Sequence, residues 1–353
     1  MRIKHWAAVV LVLVAAARVR ADDVIAPFLD SQTNGVIYLD FSAIDMGQID
    51  AWLQKVATTI PNETLREEQQ KDTEEGLDKA KKWISDFRTA GGKDLYVVVS
   101  LSGIMSGSPG GVVVPLNGTD GTALAKVFPQ PPSAPQGMAP DSVAQWQRMQ
   151  AATGVVGKMM VFSTGAGVDR MKTPSNQPRQ DLLDALAAAN GGAVQIVFNP
   201  ATVKNNPFFA LMLSRDMSPA DAGAAPASPL SDPVWDSVTW VAVSLMAPPK
   251  EAGNFTIQCK DADSAAQMSD WISQKLKDWK ALAVKSGGIS GDDYDRLAAI
   301  IKPQVKGTQV VVSVGQDAID NVIGPIFMKN MVYTLHPEAA TMPTTTPAST
   351  EQN

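Results

Sequence analysis

The chain has few of the side chains that nucleophilic or metal chemistry needs. It contains two histidines, His5 and His336, and one cysteine, Cys259. A serine or cysteine nucleophile usually needs a rigidly held imidazole as its base, and no G-x-S-x-G or S-x-x-K motif is present. A zinc site needs three or four ligands of these kinds. Cys259 follows Phe255 and Ile257 at the spacing of a strand, which predicts a buried thiol. We predict no catalytic residue, no metal site and no enzyme activity.

The densest carboxylate group is better explained by helix capping than by calcium. Asp292, Asp293 and Asp295 follow Ser290, an N-cap residue by position, and acidic side chains stabilise the first turn of a helix. A calcium loop would have alternating carboxylates, a central glycine and a distant glutamate. Two carboxylates from distant positions can also form an acid–base pair, and no pair is nominated by the sequence. A carboxylate-dependent hydrolase, with its site in the groove between two repeats, stays open as the alternative function.

Two glycine-rich segments resemble cofactor loops only superficially. Gly165-Ala166-Gly167 lies between a predicted strand and a predicted helix, but Arg170 occupies the place of the third glycine of a dinucleotide fingerprint. Gly107 to Gly111 precedes a strand, which is typical of a hairpin loop and not of a phosphate site. We predict no bound cofactor.

Tryptophans could stack on the sugars of an extracellular polymer. Trp146 and Trp235 lie beside predicted loops and keep this role open. The other five in the chain after residue 21 lie in apolar periodic patterns typical of a core: Trp52, Trp83, Trp240, Trp271 and Trp279. Three N-x-S/T sequons, at Asn62, Asn117 and Asn254, matter only in a eukaryotic secretory pathway.

The N-terminus has the pattern of a cleaved secretory signal peptide. Arg2 and Lys4 precede an apolar run from Trp6 to Ala17, and Val19-Arg20-Ala21 places small residues before Asp22. A membrane anchor is the alternative, but the run has 12 residues and spanning needs about 20. We predict cleavage after Ala21, with the bond after Ala17 as the second choice, and a secreted or periplasmic protein without a membrane span.

Charge and cysteine content restrict the partners of the exported chain. Loss of Arg2, Lys4, Arg18 and Arg20 leaves 26 basic against 36 acidic residues, a net charge of −10. Because such a chain is repelled by phosphates, we expect no nucleic-acid partner. One cysteine allows no intramolecular disulfide, so packing alone must stabilise the fold.

Four strand patterns recur in the same order in both halves of the chain, which predicts an internal duplication. The corresponding segments are Gly35–Phe41 and Gly192–Phe198, Val97–Leu101 and Val241–Leu245, Val112–Leu116 and Phe255–Cys259, and Gly157–Gly165 and Gly307–Gly315.

Each half is predicted to be a βαββαβ unit of the ferredoxin-like kind, with an antiparallel sheet and helices on one face. Pro115 argues against a central strand there, unless it marks the strand's end. The clearest helix runs from Thr64 to Ala90, with Glu67 completing a capping box and Gly91-Gly92 ending it. The predicted fold class is therefore α+β with two tandem repeats.

The predicted organisation has four parts. Residues 1–21 form the signal peptide, residues 22–172 the first α+β repeat, residues 173–336 the second repeat, and residues 337–353 a disordered Pro/Thr-rich tail. Proline-rich stretches at 129–140 and 218–233 are predicted loops.

The second half carries a family resemblance. Trp240-Val241-Ala242-Val243-Ser244-Leu245, Gln258 to Ala265, and Lys306-Gly307 before a valine strand resemble exported repeat proteins of the planctomycete type. Such proteins have no assigned activity, so the resemblance implies export and repetition and transfers no site residue.

Two classes of function follow. The first is a non-enzymatic binding or scaffold protein of the cell envelope or extracellular space, whose partner is an unknown protein or polymer. The second is the hydrolase above. A groove lined by Trp, Met and backbone would favour binding, whereas a cleft of converging carboxylates with raised pKa values would favour hydrolysis.

Overall fold

The fold is taken from a computed structural model of the chain. It describes residues 24–58, 63–101, 110–129, 140–173, 175–189, 191–204, 230, 232–247, 252–285 and 289–326. The predicted signal peptide, the Pro/Thr-rich tail, His336, Asn62, the side chain of Trp146 and most of both predicted loops lie outside these residues.

The described chain is a mixed α+β structure, as predicted, but it has one sheet instead of two. All its strand pairings are antiparallel, and the order is β4-β5-β3-β2-β1-β6-β7-β8-β10-β9. The strands are β1 (Gly35–Asp40), β2 (Asp94–Val99), β3 (Gly110–Pro115), β4 (Ala151–Val156), β5 (Met159–Thr164), β6 (Val194–Phe198), β7 (Val238–Met246), β8 (Ala252–Cys259), β9 (Gln304–Lys306) and β10 (Gln309–Val314).

Ten α-helices are found among the described residues, with short 3₁₀ turns at Ala26–Phe28 and Pro233–Ser237 and a π-helical turn at Ile319–Ile323. The helices are α1 (Met46–Ala57), α2 (Glu63–Thr89), α3 (Thr122–Val127), α4 (Pro140–Met149), α5 (Gly165–Met171), α6 (Gln180–Ala188), α7 (Pro200–Lys204), α8 (Ala262–Lys285), α9 (Gly291–Ile300) and α10 (Gln316–Ala318).

The ferredoxin-like strand order is not confirmed. In a split βαβ unit another strand separates the two strands that flank a helix, whereas β1 and β2, which flank α1 and α2, pair directly. Pro115 is the last residue of β3, so it ends the strand. From the central pair β1–β6 outward, the order is β1-β2-β3-β5-β4 in one direction and β6-β7-β8-β10-β9 in the other.

Both faces of the sheet are packed, which corrects the prediction that helices cover one face. We call the face that bears Val36 and Val113 the front face and the face that bears Val114 and Ile257 the back face. The front face packs against residues 24–34, α5 and α6. The back face packs against α2 and α3 in the first half and against α8 and the Pro233–Ser237 turn in the second.

The end of α2 is predicted correctly, but its start is not: the helix begins at Glu63, so Thr64 lies inside it and is not the N-cap of a capping box. Helix α2 covers the predicted range, with Leu77, Ile84 and Phe87 buried. It ends where Gly91 takes a φ of 92° and the Gly92 amide donates to the Phe87 carbonyl, as in a Schellman motif.

Ser290 caps α9, since its Oγ accepts a hydrogen bond from the Asp293 amide at 3.1 Å. The carboxylate group is therefore a helix start, as predicted. No helix among the described residues is both long and apolar enough to cross a bilayer.

Candidate binding site

An apolar groove lies on the back face of the second half. It is an open groove of about 480 Å³ between α1, the π-helical turn and the ends of β7, β8 and β10. The described residues that line it are Ile49, Trp52, Val243, Leu245, Met246, Ala252, Gly253, Asn254, Phe255, Val314, Ile319 and Ile323.

Three local patterns bring these side chains together. Ile49 and Trp52 are three apart on α1 and therefore share one face of that helix. Val243 is paired with Phe255 across β7 and β8, which places both side chains on the same face of the sheet. Ile319 and Ile323 are four apart on the turn that follows β10. One wall therefore comes from the first half of the chain and the other two from the second.

Helix α1 is fixed to the second half by a polar anchor at the rim. The Trp52 indole Nε1 donates a hydrogen bond to Asp320 Oδ1 at 3.1 Å, and the Lys55 Nζ donates to Asp320 Oδ2 at 2.8 Å. Gly324 permits the close approach, because a Cβ there would lie 3.0 Å from the Trp52 ring and 3.1 Å from Val56. Because π-helical turns are frequent at functional sites, the turn beside the groove supports the groove as the candidate site.

The start of α1 is stabilised independently of the groove. The Asp45 carboxylate accepts hydrogen bonds from the amides of Gly47 and Gln48 at 2.9 and 3.2 Å, as an N-cap does. These cap contacts stabilise the first turn of α1 and involve no residue of the groove lining.

Part of the groove surface is open to solvent. Leu245 and Met246 are 41% and 40% exposed. They are consecutive residues of a strand, so their side chains point to opposite faces. Leu245 is therefore on the back face with Val243 and the groove, whereas the Met246 side chain points to the front face.

A second cavity, of about 370 Å³, occupies the equivalent strands of the first half. It is lined at the ends of β2, β3 and β5 by Val97–Val99, Gly110–Val112, Ala151 and Phe162–Thr164. In the predicted alignment of the halves, Val99 corresponds to Val243, Val112 to Phe255 and Thr164 to Val314. Two cavities thus lie at matching places in the strand order.

An opposed pair of carboxylates lies outside the groove. Asp40 and Asp94 are directly opposite each other on β1 and β2. Burial, and then the Asp40 charge, raise the pKa of Asp94, and burial together with both carboxylates raises the pKa of Tyr38. Tyr38 packs with the front-face core, whereas the groove is on the back face. Asp40 also accepts hydrogen bonds from the Ser42 amide and hydroxyl, which is a turn-stabilising role.

The remaining candidate residues have structural roles. Cys259 is 1% exposed, and burial raises its pKa to about 11, so the thiol is unreactive. Thr164 caps α5, and a Cβ on Gly167 would collide with Ser163, so these glycines serve close packing. No group of three or more His, Cys, Asp or Glu suited to a metal occurs among the described residues.

The burial of several tryptophans differs from the prediction. Trp235 and Trp240 are 7% and 5% exposed. Trp279, which was predicted to be in the core, is 39% exposed, and Trp52 is half-buried at the groove. Trp52 was predicted to lie in the core because its helical spacing shows that it belongs to an apolar helix face. The spacing does not show whether that face contacts the core or a groove.

The groove has to be interpreted from its own geometry. No protein-family model, no curated protein and no solved structure matches this chain.

Proposed function

We propose that the protein is an exported, non-enzymatic binding protein of the cell envelope or extracellular space, and that its groove holds the apolar part of an envelope component. The observation that carries the proposal is the cavity of about 480 Å³ between α1, the π-helical turn and the sheet. Ligand pockets typically have volumes of roughly 300–1,000 Å³ and mostly apolar walls.

The chemistry of the lining supports binding over hydrolysis. Among the described residues at the groove, Asn254 and Trp52 are the only ones with a polar side-chain group. The Trp52 N–H is bonded to Asp320, and Asn254 Oδ1 accepts from Ser313 on the front face. Hydrolysis by carboxylates would need two such groups facing one cavity. A site of this composition recognises its ligand by shape and by removal of apolar surface from water, worth roughly 25 cal/mol per Å².

Export and duplication belong to the same proposal. The basic and apolar N-terminus supports export. Duplication is supported by the common strand order from the centre outward and by a second cavity on the equivalent strands. A duplicated chain with one cavity in each half would present two related sites to the same class of ligand.

Titration with a neutral apolar fluorophore such as Nile red tests the groove. Val243→Trp places an indole where the groove now has a half-buried valine, and we expect dye affinity to fall at least tenfold. Val305→Trp is the matched control, because Val305 is 45% exposed on the edge strand β9. Equal dye affinity in both variants, with unchanged thermal unfolding, would exclude the groove as the binding site.

A further variant separates binding from the hydrolase alternative. Asp94→Asn removes one carboxylate of the front-face pair and leaves the groove lining intact. We expect this variant to bind the dye as the wild type does. Esterase or glycosidase activity in the wild type that disappears in Asp94→Asn would replace the binding proposal with the hydrolase.

A further inference from the structure

The two edges of the sheet are protected very differently. Strand β9 has three residues, and Lys302, Pro303 and Lys306 lie in or next to it. Short length, lysine and proline are the devices by which natural proteins prevent edge-to-edge pairing. Strand β4, at the other edge, has six residues, Ala151 to Val156, with no charge, no proline and no register shift against β5.

The outer side of β4 offers a regular row of backbone hydrogen-bonding groups. The Gln150 carbonyl accepts from the Gly165 amide at 2.9 Å, so residue 150 bonds inward to β5. Since inward and outward groups alternate along an antiparallel edge strand, Ala151, Thr153 and Val155 direct their N–H and C=O groups outward. No described strand pairs with that side.

Exposed apolar side chains accompany this edge. Met149 and Val155, 56% and 55% exposed, are the two most exposed large apolar side chains among the described residues. Val155 is opposite Met160 of the back-face cluster, so it lies on the back face, next to Gly121 at the start of α3. Within the described part of the chain, an edge strand without an outer neighbour and exposed apolar side chains thus occur in one place.

We propose that β4 pairs antiparallel with β4 of a second copy of this chain about a twofold axis at Thr153. Thr153 then faces Thr153, and Ala151 faces Val155 in both directions. The three outward residues of each copy supply about six N–H···O bonds between the copies. The ten-stranded sheet becomes continuous across the two molecules.

A second copy fits this edge better than an arbitrary peptide. Without the predicted signal peptide the chain has a formal net charge of −10, yet residues 149–157 contain no charged side chain, so two copies place no like charges opposite each other. The molecule also joins its own halves in this way, because β1 and β6 form an antiparallel seam of apolar pairs such as Val36–Val197.

The size of the seam sets its strength. A six-residue strand is about 20 Å long, and one such seam buries less than the roughly 1,200 Å² of a standard stable interface. The dimer should therefore be weak and in rapid exchange, with a dissociation constant on the order of 100 µM.

Sedimentation equilibrium of the purified, exported protein between about 1 µM and 1 mM tests the proposal. We expect the mean mass to rise toward twice that of the monomer. Thr153→Pro copies the proline that β9 has at the equivalent position, Pro303, and removes only an outward N–H. It should weaken association at least tenfold. Val305→Pro, on the opposite edge strand β9, is the matched control and should leave association unchanged.

A second variant keeps the test decisive if proline disturbs the hairpin. Thr153→Lys places like charges opposite each other at the centre of the seam, and Thr153 is already exposed, so the fold should be retained. Loss of the dimer in Thr153→Lys with unchanged thermal unfolding supports the seam. A wild-type protein that stays monomeric at 1 mM, or a dimer that survives both Thr153 variants, overturns it.

Discussion

The two halves of the sheet have the same strand order, but the front face is covered over the first half and open at the outer strands of the second. In the first half, Val113 of β3 and Val161 of β5 are paired and fully buried beneath α5 and residues 24–34. The corresponding pair in the second half, Thr256 of β8 and Val311 of β10, is half-exposed.

Polar side chains surround that half-exposed pair. Ser313 donates to Asn254 Oδ1 at 2.8 Å, and the Gln309 amide donates to Gln258 Oε1 at 3.0 Å. Backbone pairing thus sets the strand order, and side-chain type decides which face can hold a covering layer. The same strand order is found with a front face that is covered in one half and exposed to solvent in the other.

The largest expected effect comes from placing the same charge at the two equivalent front-face positions. Val113→Asp puts a carboxylate into a site with 0% exposure, and we expect it to lower the free energy of unfolding by about 4 kcal/mol or more. Thr256→Asp should lower it by less than about 1 kcal/mol, since water reaches that site. Urea unfolding of both variants measures the difference, and equal losses would mean that the front faces do not differ.

A smaller loss of stability is expected from weakening the contact between residues 24–34 and α5, which together cover the front face of the first half. Arg170 of α5 donates two hydrogen bonds of 2.7 Å to Asp30, which ties residues 24–34 to the helix. Asp30→Asn removes the charged acceptor of a guanidinium whose Nη1 already lacks a partner among the described residues. We expect a loss of about 1–3 kcal/mol at pH 7.

The pH dependence of Asp30→Asn follows from the pKa of Asp30. Burial alone would raise this pKa, but the hydrogen bonds and charge of Arg170 lower it below its ordinary value of 3.8. The stabilisation is therefore present above pH 4 and is lost as the pH falls through the folded-state value. Thermal unfolding of wild type and variant should converge in acid, whereas Asp184→Asn, exposed on α6, should match the wild type throughout.

The smallest effect concerns Asp94, at the end of the covered front face. Neither β6 nor β7 has a carboxylate, so the opposed pair Asp40–Asp94 is peculiar to the first half. Because burial and Asp40 raise the pKa of Asp94, its ionisation weakens the fold as the pH rises through the folded-state value. Asp94→Asn should be more stable than the wild type at pH 7 by up to about 1 kcal/mol, and equal to it near pH 3. A destabilised variant at pH 7 would contradict this assignment.

The strands could be predicted from sequence because each is a short run of β-branched residues, a composition that indicates a buried strand. Val97–Val99 and Val310–Val312 are examples, and both runs lie in strands. Which strand lies beside which could not be predicted. A period of two fixes the face of each side chain but not the neighbour, so the central β1–β6 pair was missed and two separate sheets were predicted.

The groove was only partly predictable. A groove lined by Trp and Met was predicted as the mark of a binding protein, but Trp52 was predicted to lie in the core. The hydrogen bond from Trp52 to Asp320 spans 268 positions of the chain. No local pattern carries information over that distance, whereas the capping of α9 by Ser290 involves residues three apart and was predicted correctly.

The central β1–β6 pair has a consequence for how the chain is made. Synthesis proceeds from the N-terminus at roughly 5–20 residues per second, and Val197, the partner of Val36, follows it by about 160 positions. Newly made β1 can pair with β2 early but must wait about 8–32 s for β6. Throughout that interval one edge of β1, a strand that carries Val36, Ile37 and Leu39, lacks its native neighbour β6. An interval of this length follows from placing two strands that are distant in the sequence side by side at the centre of the sheet.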